Sequence, residues 1–464
     1  MNQRRLQAVS AALLVICLLL PACGGKPEPT ALPGCENAPR PVVFVHGFLG
    51  AGDSFANAAM RFSSNGYCPA YLWVFDWNTL SLDFEGNVEA LADFVARVLR
   101  ETGAEQVDLV GHSMGGALSQ QYLQEHAEEV AHYVHAASFC GLAFPEALPL
   151  LVLSSDEDTV VGPCTIEGGD NQNLDGADHL QVVALPEAFE AMYRFFNEGQ
   201  LPETTRVVTE DSVALSGEVL AIGMNLPAVG AVVAVYPLDP ATGERLDVRP
   251  AASFEVGEDG AWGPFQADPS TYYEFVITGE GQRPFHYYRQ PFPRSNPLVY
   301  FRILPESDLL LGRLLGDIQY DDASSNVVFF SANQALYHSR DTATLDGLDL
   351  ATPEMAPPPP DPTTTIAIFI FDADGDGETD GGPVPGPHPE IPLLFMHDAF
   401  LDGGTEPTEF SEFPFLRQYD AFLEAGTRRT VTLTMNGAIL HVPNWKGDSE
   451  GPIMVVFDYG ADGL

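Results

Sequence analysis

The stretch VDLVGHSMGGALS, residues 107–119, limits the possible folds of this chain more than any other segment. An aliphatic run leads into a serine that stands between Gly111 and Gly115, and a helix-like run follows. Where a strand turns directly into a helix, the residue at the turn is strained, and glycines beside it remove side chains that would collide. The segment therefore predicts that Ser113 is held in a strained turn between the end of a strand and the start of a helix.

Such a serine needs three further groups before it can act as a nucleophile at neutral pH. A histidine must take its proton, an acid must orient the histidine, and hydrogen-bond donors must stabilise the oxyanion. The helix that begins at Met114 points backbone N–H groups at the developing negative charge. A glycine-flanked serine in an ordinary tight turn is the alternative, but the strand before Ser113 and the helix after it favour the nucleophile.

Strand-like and helix-like runs alternate across residues 38–203. The strand-like runs are PVVFVHGF, YLWVFDW, VDLVGHS, VAHYVHAASF and LPLLVLSS, and the helix-like runs are NVEALADFVARVLRETG, MGGALSQQYLQEHA and LPEAFEAMYRFFNEG. This alternation predicts a doubly wound parallel sheet. Residues 204–304 contain short strands separated by turn residues, which predicts an all-β sandwich or barrel module. Residues 305–464 predict a second β-rich module.

The first 22 residues have the pattern of a secretory signal, in which two arginines precede an apolar run, and LPAC follows at residues 20–23. LPAC resembles the lipobox of bacterial lipoproteins, in which the cysteine is acylated. The resemblance implies that Cys23 carries lipid and that residues 23–37 form a tether. An ordinary signal peptide cut near Ala22 is the alternative. Both interpretations predict an exported protein, either anchored at the cell envelope or secreted.

The charge of the chain narrows its possible partners. The formal net charge is −44, from 21 basic and 65 acidic residues. A surface of this charge repels nucleic acid and anionic lipid headgroups. We therefore expect no nucleic-acid partner, and membrane attachment only through the N-terminal lipid anchor.

Motifs within residues 38–200 resemble the α/β-hydrolase superfamily, and in particular its secreted lipases and esterases. VFVHGF is similar to the superfamily's oxyanion strand and loop, and GHSMGG is the form of the nucleophile elbow that is common in lipases. The resemblance implies that the backbone N–H groups of Phe48 and Met114 bind the oxyanion. It also implies that His46 holds the loop and does not act as the base.

The superfamily's order along the chain is serine, acid, histidine. The segment LVLSSDEDTVV offers Asp156, Glu157 and Asp158 as the acid. Asp158, which precedes Thr-Val-Val, matches the family pattern best, and Asp156 remains an alternative. His179 is the histidine between this acid and the β-rich part of the chain, so the resemblance implies that it is the base.

The overall layout is similar to that of two-domain lipases of archaeal type, in which a large β-barrel domain covers the substrate site. Many lipases insert a helical lid after the sixth strand of the fold, but residues 139–149 leave room for a short loop only. The resemblance therefore implies that a short segment, or the β-rich part, shields the substrate.

Four cysteines remain when the signal sequence and the lipobox cysteine are set aside. An even number in an exported protein predicts two disulfides. In the α/β-hydrolase fold, Cys35 and Cys68 precede two neighbouring strands, and Cys140 and Cys164 follow two later neighbouring strands. We therefore expect the pairs Cys35–Cys68 and Cys140–Cys164.

The acidic stretch FIFDADGDGETDGG places Asp372, Asp374, Asp376 and Asp380 at positions 1, 3, 5 and 9 of a calcium-loop pattern. Carboxylate oxygens at alternating positions can wrap Ca²⁺. The pattern has Pro383 where an EF-hand has its glutamate, and a strand precedes it, so it does not predict an EF-hand. A structural Ca²⁺ is one interpretation, and a solvated acidic turn is the other.

These features together predict a carboxylic ester hydrolase, with triacylglycerol lipase as the leading expectation. Ser113, His179 and Asp158 would work through an acyl-enzyme, without a cofactor for catalysis. A short-chain esterase or a polyester depolymerase would use the same residues. A non-catalytic surface-binding protein with a relic hydrolase domain is the alternative outside enzymes, and an intact, ordered triad argues against it.

Overall fold

The structure is a computed structural model, and it describes residue 35 and residues 39–81, 83–141, 143–304, 320–361, 364–384, 391–392, 407–408, 415–426 and 429–458. The expected signal peptide, the lipidation of Cys23 and all of the expected tether except Cys35 lie outside these residues.

A six-stranded parallel sheet forms the first part of the molecule, which we call the α/β region (residues 39–203). Its strands are β1 (Val42–Val45), β2 (Leu72–Phe75), β3 (Val107–His112), β4 (Val130–Ala136), β5 (Leu150–Ser154) and β6 (Asp170–Asn173). They lie in the order β2-β1-β3-β4-β5-β6, and every neighbouring pair is parallel. The expected doubly wound parallel sheet is confirmed.

Within the described part of this region, five α-helices cover the two faces of the sheet. They are α1 (Ala56–Ser64), α2 (Phe84–Thr102), α3 (Met114–His126), α4 (Gln181–Ala184) and α5 (Pro186–Phe196). Apolar side chains of α1, α4 and α5 share one buried cluster with the sheet, and those of α2 and α3 share another. The sheet is thus enclosed on both sides, as an all-parallel sheet requires.

Helix α2 shows how the sequence sets these elements. The side chain of Asp83 caps its first turn, because Oδ1 accepts a hydrogen bond from the N–H of Gly86 at 2.9 Å. Leu91, Val95 and Val98 recur at helical spacing and are fully buried. The helix ends at Gly103, whose φ of 70° is the left-handed conformation of a helix C-terminus.

The remaining described residues form the β-rich region (residues 204–458). Its strands are β7 (Val213–Ala221), β8 (Val232–Pro237), β9 (Ala252–Glu255), β10 (Ala261–Ala267), β11 (Tyr273–Thr278), β12 (Phe285–Arg289), β13 (Phe301–Ile303), β14 (Val327–Ser331), β15 (Ala343–Leu345), β16 (Leu348–Asp349), β17 (Thr365–Phe371), β18 (Ile391–Pro392), β19 (Pro407–Thr408), β20 (Phe415–Asp420), β21 (Thr430–Met435), β22 (Ala438–Pro443) and β23 (Ile453–Phe457). The expected all-β character of this part is confirmed.

The largest sheet of the β-rich region has eight strands in the order β20-β17-β14-β23-β12-β11-β8-β9. Strand β23 lies between β12 and β14 and runs parallel to both. Strands from both sides of residue 304 therefore belong to one sheet. The two β-rich modules expected from the sequence, divided at that point, are joined by β23, because this strand near the C-terminus pairs with a strand from each group.

Two disulfides are present among the described residues, and both expected pairs are confirmed. Cys35 is bonded to Cys68, with 5.5 Å between the Cα atoms, and Cys140 to Cys164, with 5.8 Å. Disulfides persist in oxidising compartments and are typical of extracellular proteins. Among the described residues, no helix combines the length and the apolar character needed to cross a membrane.

Candidate active site

Ser113 lies at the junction of β3 and α3, in the strained conformation that the sequence predicts. Its φ is 54° and its ψ is −127°, which few residues other than glycine adopt. Neighbouring groups fix it there. The N–H of Ser113 donates to the carbonyl of Ala136 at 3.0 Å, and the hydroxyl of Ser138 donates to the carbonyl of Ser113 at 2.5 Å.

The glycines around Ser113 are required by close backbone contacts. A Cβ atom on Gly115 would lie 2.3 Å from the carbonyl oxygens of both Val45 and His46, at the end of β1. A Cβ atom on Gly47 would lie 2.7 Å from the Cβ of Ser113. The elbow and the loop after β1 are thus packed backbone against backbone, so these positions admit glycine alone.

His179 and Asp158 form a buried pair. His179 Nδ1 lies 2.9 Å from Asp158 Oδ2, and both side chains are almost completely buried. The other oxygen of Asp158 accepts from the N–H groups of Val160 at 2.9 Å and Val161 at 3.3 Å. Burial alone would raise the pKa of Asp158, but its contact with His179 and these N–H groups outweigh burial and lower it. Asp158 therefore carries its charge beside the imidazole.

The structure separates the candidate acids. Asp158 contacts His179, whereas Asp156 and Glu157 are exposed in the same turn. Because Nδ1 of His179 donates its hydrogen to the carboxylate, the neutral ring carries its free lone pair on Nε2. That arrangement is the one a proton acceptor for Ser113 requires.

His112 holds the backbone of His179 in place. Its Nε2 donates to the carbonyl of His179 at 2.9 Å, and the two rings lie 4.9 Å apart. Burial, and then the nearby charge of His179, lowers the pKa of His112 to about 3. His112 is therefore neutral at physiological pH and acts here as a hydrogen-bond donor.

His46 lies within the loop after β1, as a structural residue. Its Nδ1 donates to the carbonyl of Gly47 at 3.0 Å, and its Nε2 accepts from the N–H of Trp77 at 3.4 Å. Burial lowers the pKa of His46 to about 3, so the ring stays neutral. Phe48 follows in this loop and lines one cavity with Ser113, while Met114 is the first residue of α3. The two expected oxyanion donors therefore belong to segments that meet at Ser113.

Ser113 and His179 open into a cavity of about 140 Å³. One side is formed by the α/β region and includes residues 47–50, 53 and 54. The other side is formed by the β-rich region and is mainly apolar, with Val328, Phe330, Ile366, Phe369, Phe415, Leu416, Met454 and Val456. The ring of Phe415 lies nearly parallel to that of His179, 6.3 Å away. The sequence did not single out these residues individually, because an apolar strand residue that faces a cavity looks the same as one in a core.

The acidic loop lies away from this cavity, after β17. Asp372, Asp374 and Asp376 each offer a carboxylate oxygen within 4.8 Å of the others, and Asp380 does not belong to this group. Both oxygens of Asp372 accept from backbone N–H groups of the loop, those of Gly375 at 2.9 Å and Gly377 at 3.2 Å. The three clustered residues are the expected ones, and Ca²⁺ at this loop stays a prediction.

Known protein families match both regions of the chain. The family described as alpha/beta hydrolase fold matches residues 40–157, and the family described as lipase C-terminal domain matches residues 211–305. The first match covers β1 to β5 and the nucleophile elbow. The α/β region has the α/β hydrolase fold.

Individual relatives are distant. A probable alcohol acetyltransferase from Cyberlindnera fabianii is 28% identical over 114 residues, which are 22% of this chain and 28% of that protein. The match thus spans little more than a quarter of that relative's length. An α/β hydrolase from the metagenome of lagoon sediments at Mar Chica, Morocco, is 18% identical, with a TM-score of 0.30 over 34% of this chain and 91% of that one. Naproxen esterase from Bacillus subtilis is 15% identical, with a TM-score of 0.28 over 35% and 85% of the two chains.

Proposed function

We propose that this protein hydrolyses carboxylic esters through a serine acyl-enzyme. The observation that carries the proposal is the combination of a strained Ser113 with the buried His179–Asp158 pair beside one cavity. The family matches support it, because they assign an α/β hydrolase fold and a lipase C-terminal domain to the two regions.

The proposed mechanism gives each residue a role. Ser113 Oγ attacks the ester carbonyl carbon, and its proton passes to Nε2 of His179. Asp158 keeps Nδ1 of His179 protonated and stabilises the imidazolium that forms. The N–H groups of Phe48 and Met114 donate to the oxyanion. His179 then returns the proton to the leaving alcohol, and a water molecule, activated by His179, releases the acid from Ser113.

We propose a lipase, that is, an enzyme for esters of long acyl chains. The cavity wall from the β-rich region is apolar, and it lies next to Ser113. Each methylene that leaves water for such a wall contributes about 0.8 kcal/mol to binding. A longer acyl chain therefore gains binding energy for as long as the cavity accommodates it.

The test combines labelling with a fluorophosphonate probe and hydrolysis of p-nitrophenyl esters from acetate to palmitate. Ser113→Ala should abolish labelling, and His179→Ala should lower kcat by roughly four to six orders of magnitude. Asp158→Asn should lower kcat about 10⁴-fold, and Asp156→Asn, two residues away and exposed, is its matched control and should stay near wild type. Near-normal turnover by His179→Ala would contradict the assignment. A kcat/KM that falls beyond butyrate would indicate a short-chain esterase.

We also propose that the protein is exported and anchored through lipid on Cys23. The lipobox-like sequence and the two disulfides support the proposal. Labelling of cells with a fatty-acid analogue should mark the mature protein and should fail for Cys23→Ala. Release of an unlabelled mature protein would instead indicate cleavage by the ordinary signal peptidase near Ala22.

A further inference from the structure

The loop after β1, residues 46–53, carries Phe48 and is bound by side chains from the β-rich region. Arg302 Nη1 donates to the carbonyl of Leu49 at 2.6 Å. Asn225 Nδ2 donates to the carbonyl of Gly50 at 2.9 Å. The carbonyl groups of the two residues that follow Phe48 are therefore bound by side chains 253 and 175 positions further along the chain.

Asn225 is placed to fix this loop against the rest of the α/β region. Its Nδ2 also lies 2.9 Å from the carbonyl of Trp77 and 3.3 Å from Nε2 of His46. The residue is buried and has a φ of 52°, a left-handed conformation that asparagine tolerates better than most residues. One amide group thus joins the loop, the histidine that begins it and the segment after β2.

A second connection runs through Thr79. The N–H of Leu49 donates to Thr79 Oγ1 at 3.1 Å, and that hydroxyl donates to the carbonyl of Gly223 at 2.7 Å. The N–H of Thr79 donates to the same carbonyl at 2.9 Å. Gly223 is two residues from Asn225, so both belong to one turn of the β-rich region. This turn binds the N–H of Leu49 through Thr79 and the carbonyl of Gly50 directly through Asn225.

The loop needs such restraint because it is strained. Leu49 has a φ of 56°, in the left-handed region that non-glycine residues rarely adopt. Strain of this kind persists only where the surroundings hold the residue in place. Here the surroundings are Thr79, Asn225 and Arg302. Without these contacts, Leu49 would leave this conformation, and Phe48, the residue before it that carries the proposed donor N–H, would shift with it.

We propose that Asn225 and Arg302 are positioning residues that hold the Phe48 N–H in line with the oxyanion, so that the β-rich region completes the oxyanion hole of the α/β region. The proposal rests on the proposed ester hydrolysis. Asn225 is the better residue to replace, because it does not line the cavity and its replacement would not change the cavity wall. Arg302 is part of that wall.

The experiment uses the full-length protein and Asn225→Asp, which keeps the shape and the tolerance for a left-handed backbone but removes the NH₂ donor. Loss of one oxyanion donor costs about 10²–10³ in kcat, so a displaced donor should cost roughly 10–100-fold. KM should change little.

The inhibition constant of a trifluoromethyl ketone, whose adduct with serine carries the oxyanion, should rise in proportion to the loss of kcat/KM. Leu226→Ala, on the same turn and 51% exposed, is the matched control and should leave both quantities unchanged.

A purely structural role for Asn225 would lower the melting temperature and leave kcat and ketone affinity at wild-type values, and that result would overturn the proposal. If Asn225→Asp does not fold, Arg302→Met and Arg302→Lys replace it. Arg302→Met should weaken ketone binding, and Arg302→Lys should restore part of it. Unchanged ketone binding in Arg302→Met would equally overturn the proposal. Ser113→Ala separates a failure of this proposal from a failure of the proposed ester hydrolysis. If Ser113→Ala stays active, the serine acyl-enzyme mechanism itself is refuted.

Discussion

Replacement of Arg340 by methionine should both destabilise the protein and misplace its base. Asp178 directly precedes His179 and is completely buried. Its Oδ2 accepts from Arg340 Nη2 at 2.9 Å and from the N–H of Ala335 at 3.0 Å. Both donors belong to the β-rich region. The loop that carries the base is thus held from the same side as the loop that carries Phe48.

The magnitude follows from what remains around Asp178 after the change. Oδ1 keeps the N–H groups of Leu180 and Gln181, each at 3.0 Å, and Oδ2 keeps that of Ala335. Breaking a fully buried ion pair costs about 3–5 kcal/mol. Because three donors stay, and the side chain of Arg340 is 31% exposed, we expect a loss of about 2–3 kcal/mol in the free energy of unfolding.

The loss should grow with pH. Burial raises the pKa of Asp178, and Arg340 opposes this shift. An aspartate whose folded-state pKa is raised stabilises the fold fully below its unfolded-state pKa, and that contribution is lost as pH rises through the folded-state pKa. Without Arg340 the folded-state pKa rises further, so more stability is lost at high pH.

The assay is thermal unfolding of wild type and Arg340→Met at pH 5 and pH 8, with ester hydrolysis at both. The difference in melting temperature should be larger at pH 8, and kcat should fall more than KM changes. Arg249→Met is the control, because Arg249 is 87% exposed and its pair with Asp247 is 3.9 Å long; it should change stability by less than about 0.5 kcal/mol. A variant as stable as wild type at pH 8, or a difference that shrinks as pH rises, would refute the reasoning.

Three further predictions concern stability. Gly115→Ala should prevent folding, or cost several kcal/mol and remove activity, because the new Cβ would lie 2.3 Å from backbone oxygens. Gly141→Ala is the control and should be tolerated, because the space around Gly141 is open. Melting temperatures check both variants. Joint replacement of Cys140 and Cys164 by serine should cost about 2–4 kcal/mol in denaturant unfolding, and a smaller loss would mean that the disulfide constrains little. Chelator should lower the melting temperature, added Ca²⁺ should restore it, and Asp372→Asn should abolish this response; the absence of any shift would leave an acidic turn.

The parts of the site that follow from local chemistry were predicted from the sequence. Ser113 is marked by its glycines, and the superfamily's chain order led to His179 and Asp158. The strands and their order also placed the cysteines, so both disulfides were predicted correctly. The structure distinguishes Asp158, which contacts His179, from Asp156, which is exposed. The difference depends on the direction of each side chain within one turn. A sequence pattern does not contain that direction.

Two elements were not predicted from the sequence, and the position of a third was not. Strand β6 has the sequence DNQN and lies at the edge of its sheet, with no apolar residue to mark it. Helix α1 was not predicted either, although seven of its nine residues are buried. Strand β23 was recognised as a strand, but its position between β12 and β14 depends on pairing with strands more than 100 residues earlier. Such pairing is decided by the packing of the whole β-rich region.

The few basic residues of this chain show why the two regions act together. With 65 acidic residues against 21 basic ones, close approach of the regions is opposed by like charge. Arg294, Arg302 and Arg340 all belong to the β-rich region, and each binds acceptors of the α/β region, including the Ser63 carbonyl for Arg294 and the Asp178 carboxylate for Arg340. Two of these three arginines bind the loops that carry Phe48 and His179, the proposed oxyanion donor and the proposed base. The side chains that offset the repulsion between the two regions therefore also contact the loops on which the proposed mechanism depends.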